Sequence, residues 1–114
     1  MHELGIVMHV TKQIEEIAKE KDVKQVLELT LEVGEVSGVV KEYFVDAFEW
    51  AKKRTEHMKD CKLNFIIIEG ISYCQDCKKT FKTTEYGKTC PHCGSGNTYL
   101  VTGRDVMIRD IKAI

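Results

Sequence analysis

Long apolar runs are missing from this sequence. No stretch approaches the ~20 consecutive apolar residues that a membrane-spanning helix needs, so none is expected. The N-terminus lacks a basic stretch followed by an apolar segment, so no signal peptide is expected either. Charge of one sign is also missing. Lys and Arg number 17 against 18 Asp and Glu, for a net charge of −1 and a pI near 6.4. Nucleic-acid binding asks for a clustered basic face, and this balance argues against it. Gly34, Gly38 and Gly70 follow expected strands but make neither GxGxxG nor a Walker loop, which removes the nucleotide-binding motifs. There is no internal repeat, low-complexity tract or long linker. Proline occurs once, as Pro91.

Cysteine, by contrast, is well represented. Five cysteines without a secretion signal point to the reducing cytoplasm, and to metal thiolates rather than disulfides. Four of them fall as Cys74-Gln75-Asp76-Cys77 and Cys90-Pro91-His92-Cys93, with twelve residues between the pairs. Two residues within a pair let both thiolates face one ion from a single tight turn. Two such turns supply the closed tetrahedral shell of a structural Zn(II). The spacer is long enough for a two-stranded ribbon to double back. Pro91 stiffens the second turn, and Gly94 and Gly96 give the backbone freedom that follows it. The alternatives are a redox or disulfide pair, although a redox CxxC usually comes singly beside a βαβ pattern. Iron also suits four thiolates. Cys61 stands apart and reads as a small buried or edge side chain.

The rest of the chain alternates helix and strand patterns. Val7, Val10, Ile14, Ile17 and Ala18 recur at three-and-four spacing, predicting a helix over 3–21 with Glu15, Glu16 and Glu20 on its outer face. Leu27, Leu29, Leu31 and Val33 alternate with polar residues, predicting a half-buried strand over 26–33. A second helix is expected over 40–56, with Val40, Phe44, Ala47, Phe48 and Ala51 as its apolar stripe and Lys52, Lys53 and Arg54 in its last turns. Residues 63–68 form a second strand, whose three consecutive isoleucines suggest a central, well-buried place. Residues 99–101 look extended, and 106–111 read as a last strand. The fold class is α+β: two helices packed on a small three-stranded sheet, with an inserted zinc-ribbon-like lobe. The expected domains are 1–70, completed by 98–114, and an inserted zinc-binding domain over 71–97.

His9 and His57 read as surface or rim residues, and His92 as a solvent-facing turn residue whose alternative is a substitute ligand. His2 differs through its position. The Met1 amine, the His2 amide nitrogen and the His2 imidazole can close adjacent chelate rings on one metal. The Glu3 amide nitrogen can complete a four-nitrogen plane, the tetragonal ligation preferred by Ni(II) or Cu(II). The first amides of a helix lack intrahelical partners and are available for this. The helix dipole opposes a cation there, and loss of amide protons and the Glu3 carboxylate offset it. A frayed terminus is the plainer alternative.

The start Met1-His2-Glu3, the segment Leu31-Glu32-Val33-Gly34-Glu35-Val36-Ser37-Gly38, Phe44 with Ala47 and Phe48, and the paired CxxC motifs occur here in one order. Together they resemble the HypA/HybF family of hydrogenase nickel-incorporation proteins over essentially the whole chain. The resemblance implies a metallochaperone, not an enzyme, that carries Ni(II) as cargo and helps insert it into the large subunit of a [NiFe]-hydrogenase. It implies nickel ligation by Met1, His2 and Glu3, and structural zinc at Cys74, Cys77, Cys90 and Cys93. The partners it implies are the nickel-loading GTPase HypB and the hydrogenase large-subunit precursor, with no nucleic acid and no membrane. The competing reading is a zinc-ribbon module that binds nucleic acid or a transcription partner. A metal-using enzyme has less support, because four cysteines leave zinc no open position.

Overall fold

The structure, a computed structural model, describes residues 3–114. The elements are α1 (Glu3–Glu20), β1 (Val26–Gly34), α2 (Lys41–Lys52), β2 (Lys62–Ile68), β3 (Ile71–Cys74), β4 (Thr80–Lys82), α3 (Thr83–Tyr86), β5 (Thr98–Thr102) and β6 (Val106–Ala113). They build two three-stranded sheets, ordered β2-β1-β6 and β4-β3-β5. Two compact units result. One comprises Met1–Leu31, Val39–Ile66 and Met107–Ile114, and the other Glu32–Gly38 and Ile67–Val106. Among the described residues, no helix is long and apolar enough to cross a membrane.

α1 forms because its apolar residues share one face, with acidic Glu3 in the first turn and basic Lys19 in the last, both suited to the helix dipole. Val7, Val10, Thr11, Ile14 and Ala18 are buried. The Thr11 hydroxyl donates to the Met8 carbonyl at 3.1 Å, which satisfies a polar group that would be costly to bury alone. Ile17, expected in the stripe, is exposed, because the buried face centres on Val7, Ile14 and Ala18 and leaves it at the margin.

β1 is the central strand, with Val26, Leu29, Leu31 and Val33 buried, while Leu27 reaches solvent. Asn64 hydrogen-bonds Glu28 and Thr30, and the Glu35 amide donates to the Ile68 carbonyl, so β1 and β2 run in the same direction. α2 supplies the crossover that such a parallel pair requires. At the other side, Gln25 and Ile114 exchange backbone bonds, and Gly34 bonds Asp105, so β6 runs opposite to β1. The isoleucine-rich strand is therefore an edge, not the centre, and Ile67 is 53% exposed. An apolar run reports the affinity of side chains for burial. Strand order is decided by which segments return to flank β1.

α2 buries Phe44, Phe48 and Ala51, and the Phe44 ring meets Phe65 of β2 edge-on at 5.7 Å. Val40 is only the N-cap residue and is exposed, while Ala47 is half-buried. The helix stops at Lys52, short of the expected 56. The Thr55 hydroxyl donates to the Lys52 carbonyl at 2.6 Å and accepts the Met58 amide at 3.1 Å. This side-chain alternative to the helical ladder turns the chain and delivers Met58 and Cys61 into the core, both fully buried.

In the second unit, β3 pairs antiparallel with β4 and with β5, with Tyr73 opposite both Thr80 and Tyr99. Residues 98–102, expected with the helix-bearing domain, pair with β3, and of the C-terminal part only β6 joins the first sheet. This unit is wider than the 71–97 expected from the cysteines, because a ribbon edge at β3 needs a partner for its backbone groups. Gly34, Gly70 and Gly103 allow three backbone segments to meet. A Cβ on Gly34 would collide with the Gly103 carbonyl, and one on Gly103 would lie 2.5 Å from the Gly70 Cα. Gly103 also has φ +97, where side chains are strained. Gly34 and Gly70 thus act as contact points as well as strand ends.

Candidate metal centre

Each cysteine pair is held by the same backbone turn. In the first, the Lys78 amide donates to the Cys74 carbonyl at 2.9 Å and the Cys74 amide donates to Lys79 at 2.9 Å. In the second, the Gly94 amide donates to the Cys90 carbonyl at 2.8 Å and the Cys90 amide donates to Ser95 at 2.9 Å. The residue after each pair is left-handed, with φ 60 at Lys78 and φ 76 at Gly94. Glycine adopts that conformation freely, whereas Lys78 is held in it by the turn.

These turns bring the four sulfurs of Cys74, Cys77, Cys90 and Cys93 within 4.8 Å of one another. Cys74 and Cys93 lie 3.6 Å apart at sulfur, as do Cys77 and Cys90. A tetrahedron with Zn–S bonds of ~2.3 Å has edges of about 3.8 Å, so the donor set fits zinc. No disulfide joins any of these thiols. Cys74 and Cys90 are buried with Phe81, and Cys77 packs against that cluster. The outer sulfur, Cys93, is exposed.

Crowding separates the thiols by proton affinity. Cys90 is pulled down to about 6: burial works against this, but the amides of Cys93 and His92 point at its sulfur and win. Cys93 is pushed up to about 12: the Ser95 amide works against this, but desolvation and the other three sulfurs prevail. Thiols must shed protons to take a metal, so binding here is linked to proton release.

The histidines divide differently. The His92 ring faces the Thr80 carbonyl at 3.3 Å, and His92 is not one of the clustered ligands. His9 is exposed. His57 is half-buried and joined twice to Glu15. Its amide donates to Oε1 at 2.9 Å, and its Nδ1 is bonded to Oε2. Burial tends to raise the Glu15 carboxyl, but the His57 amide and ring outweigh it, so the group sits below the ordinary carboxylate value of 4.5. Glu15 was expected on an open helix face. It is instead the anchor of a contact across 42 residues of sequence, which periodicity could not reveal. Cys61 is buried, and desolvation pushes its thiol up to about 11, so it is a poor nucleophile.

Of the expected nickel ligands, Met1 and His2 lie outside the described residues, and Glu3 lies within them. Glu3 is buried, and its Oε2 accepts the Val40 amide at 3.0 Å. Val40 is the N-cap of α2, and the Glu3 carboxylate takes its backbone amide, the donor that an acidic N3 residue would take in a capping box. The start of α1 is thereby fastened to the start of α2.

The sequence pattern described as "Hydrogenase/urease nickel incorporation, metallochaperone, hypA" matches residues 1–113. The hydrogenase maturation factor HypA of Aquifex aeolicus is 32% identical over 112 residues, covering 98% of this chain and 96% of that one. HypA of Aeromonas hydrophila is 33% identical, covering 98% of both chains. The solution structure of the Ni metallochaperone HypA from Helicobacter pylori superimposes with a TM-score of 0.75 at 26% identity, covering 100% of this chain and 98% of that one. The paired-cysteine centre, the α+β frame and these full-length similarities agree that the chain belongs to the HypA family of hydrogenase and urease nickel-incorporation metallochaperones, which are maturation factors rather than enzymes.

Proposed function

We propose that this chain binds Ni(II) through Met1, His2 and Glu3, holds a structural Zn(II) through Cys74, Cys77, Cys90 and Cys93, and delivers the nickel to a [NiFe]-hydrogenase large-subunit precursor together with the GTPase HypB. The observation that carries the reading is the sulfur cluster. Four thiols at near-tetrahedral spacing close the shell around one ion, which suits a permanent structural metal and leaves cargo to be carried elsewhere. The proposed N-terminal set differs in chemistry: its donors are nitrogens, which suit the tetragonal ligation that Ni(II) prefers. The tether from Glu3 to Val40 supports it by giving that end a fixed base. The N-terminal helices with their sheet form the nickel-bearing domain, and the cysteine lobe is the zinc domain. A reducing compartment, the cytoplasm, suits five free thiols. Glu16 and Glu20 remain candidate partner contacts on α1, whereas Glu15 is engaged with His57.

The test is nickel titration of tag-free protein. His2→Ala removes the imidazole, and one glycine ahead of Met1 displaces the amine. Each change is expected to weaken nickel binding at least ~100-fold while zinc content stays at about one per chain, and wild-type affinity is expected to fall below neutral pH as protons compete. Native affinity in the glycine-extended protein would show the nickel site to lie elsewhere.

A further inference from the structure

Asp76 sits inside the first cysteine pair, yet its carboxylate is spent on the second. Oδ2 accepts the Ser95 hydroxyl, and Oδ1 accepts the Asn97 side-chain amide at 3.2 Å. The Ser95 oxygen in turn accepts the Asn97 backbone amide at 3.0 Å, and the Asn97 carbonyl accepts the Gln75 amide at 3.0 Å. Ser95 also holds Cys90 through its carbonyl, at 2.9 Å. Three side chains and two backbone bonds therefore form a closed ring between the turns.

The ring lies beside the sulfur most open to attack. Cys93 is exposed, whereas Cys74 and Cys90 are buried. Zinc leaves a four-thiolate shell one sulfur at a time, and an outside chelator reaches the exposed sulfur's position first. Once Cys93 lets go, the ion stays only if that sulfur returns before the chelator closes in. Ser95, two residues beyond Cys93, is pinned to Asp76, so the second turn cannot swing away. We infer that Asp76 is a positioning residue that clamps the two cysteine turns together through Ser95 and Asn97, and so sets how slowly zinc leaves. The inference rests on the zinc reading proposed above.

The test uses the zinc-loaded full-length chain and a colorimetric chelator, with the rate of zinc transfer as readout. Asp76→Ala is expected to release zinc at least ~10-fold faster, the scale on which partners of metal ligands act. Asp76→Asn keeps an oxygen for Asn97 and a polar group for Ser95, and is expected to stay within about threefold of wild type. Adding Asn97→Ala to Asp76→Ala should change the rate by less than about twofold, since the side-chain bond between them is already gone. Trp50 fluorescence, which reports the helix-bearing unit, should show unchanged unfolding throughout. If Asp76→Ala cannot be loaded, Asn97→Ala replaces it, with release expected faster than in Asp76→Asn. The clamp is overturned if zinc is bound but every variant releases it at the wild-type rate, or if the Asp76 and Asn97 effects multiply. A wild-type chain that holds no zinc overturns the zinc reading itself.

Discussion

Glu15 is a charged residue on a helix whose neighbours suggest open solvent, but its side chain is only 16% exposed and joined to His57. The bonds favour the ionised carboxylate, so its folded-state proton affinity lies below that of the unfolded chain. The sign follows directly. The stabilisation is complete above the ordinary value of 4.5 and is lost as pH falls through the lowered folded value. Glu15→Gln is expected to cost about 1–2 kcal/mol at neutral pH, since it weakens a charge-assisted pair and leaves the His57 amide with a poorer acceptor. Urea unfolding followed by Trp50 fluorescence checks this. The gap between wild type and variant should narrow as the pH drops below that of free carboxylates, and a gap independent of pH would remove the ionic contribution.

At the scale of elements, the two cysteine turns depend on each other, because neither alone supplies four thiolates. Cys74→Ala or Cys93→Ala leaves three thiolates, and metal-binding energy in such a lobe is also its folding energy. Either change is expected to lose most bound zinc and to abolish chemical-shift dispersion from β3 to β5. The helix-bearing unit should keep its fold, because Val7, Ile14, Leu29, Leu31, Phe44 and Phe48 bury one another within it. Phe48→Ala supplies the reciprocal case, with an expected loss of about 3–5 kcal/mol in that unit. Two-dimensional NMR on zinc-loaded and chelator-treated protein reads both units at once, and cooperative collapse of both on zinc removal would contradict their independence.

At the largest scale, the meeting of Gly34, Gly70 and Gly103 draws together three backbone segments of the second unit. Gly103→Ala must place a methyl at φ +97 and against the Gly70 backbone, neither of which can give way cheaply. A loss of at least about 2 kcal/mol is expected. Gly87→Ala, at φ 61 and ψ −120 but with nothing within 4 Å, carries backbone strain alone and should cost about 1–3 kcal/mol, less than Gly103→Ala. Thermal melts of the two variants separate steric collision from backbone strain, and equal losses would show that the close approach contributes nothing.

Much of this architecture was legible in one dimension. Local spacing determined the helix over Val7 to Ala18, the alternating strand at Leu29, Leu31 and Val33, and the two turns that aim Cys74, Cys77, Cys90 and Cys93 at one point, because each pattern repeats with the period of the backbone that carries it. The order of motifs along the chain carried the family resemblance. Only the tertiary structure decided that β1, not the isoleucine strand, lies central, and that β5 belongs with the cysteine ribbon. It alone brought Glu15 to His57, Glu3 to Val40 and Asp76 to Ser95 and Asn97. A polar side chain writes no periodic signature of its partner, and pairs separated by 19 to 42 residues of sequence meet only because cores and metal ligands have already folded the intervening chain.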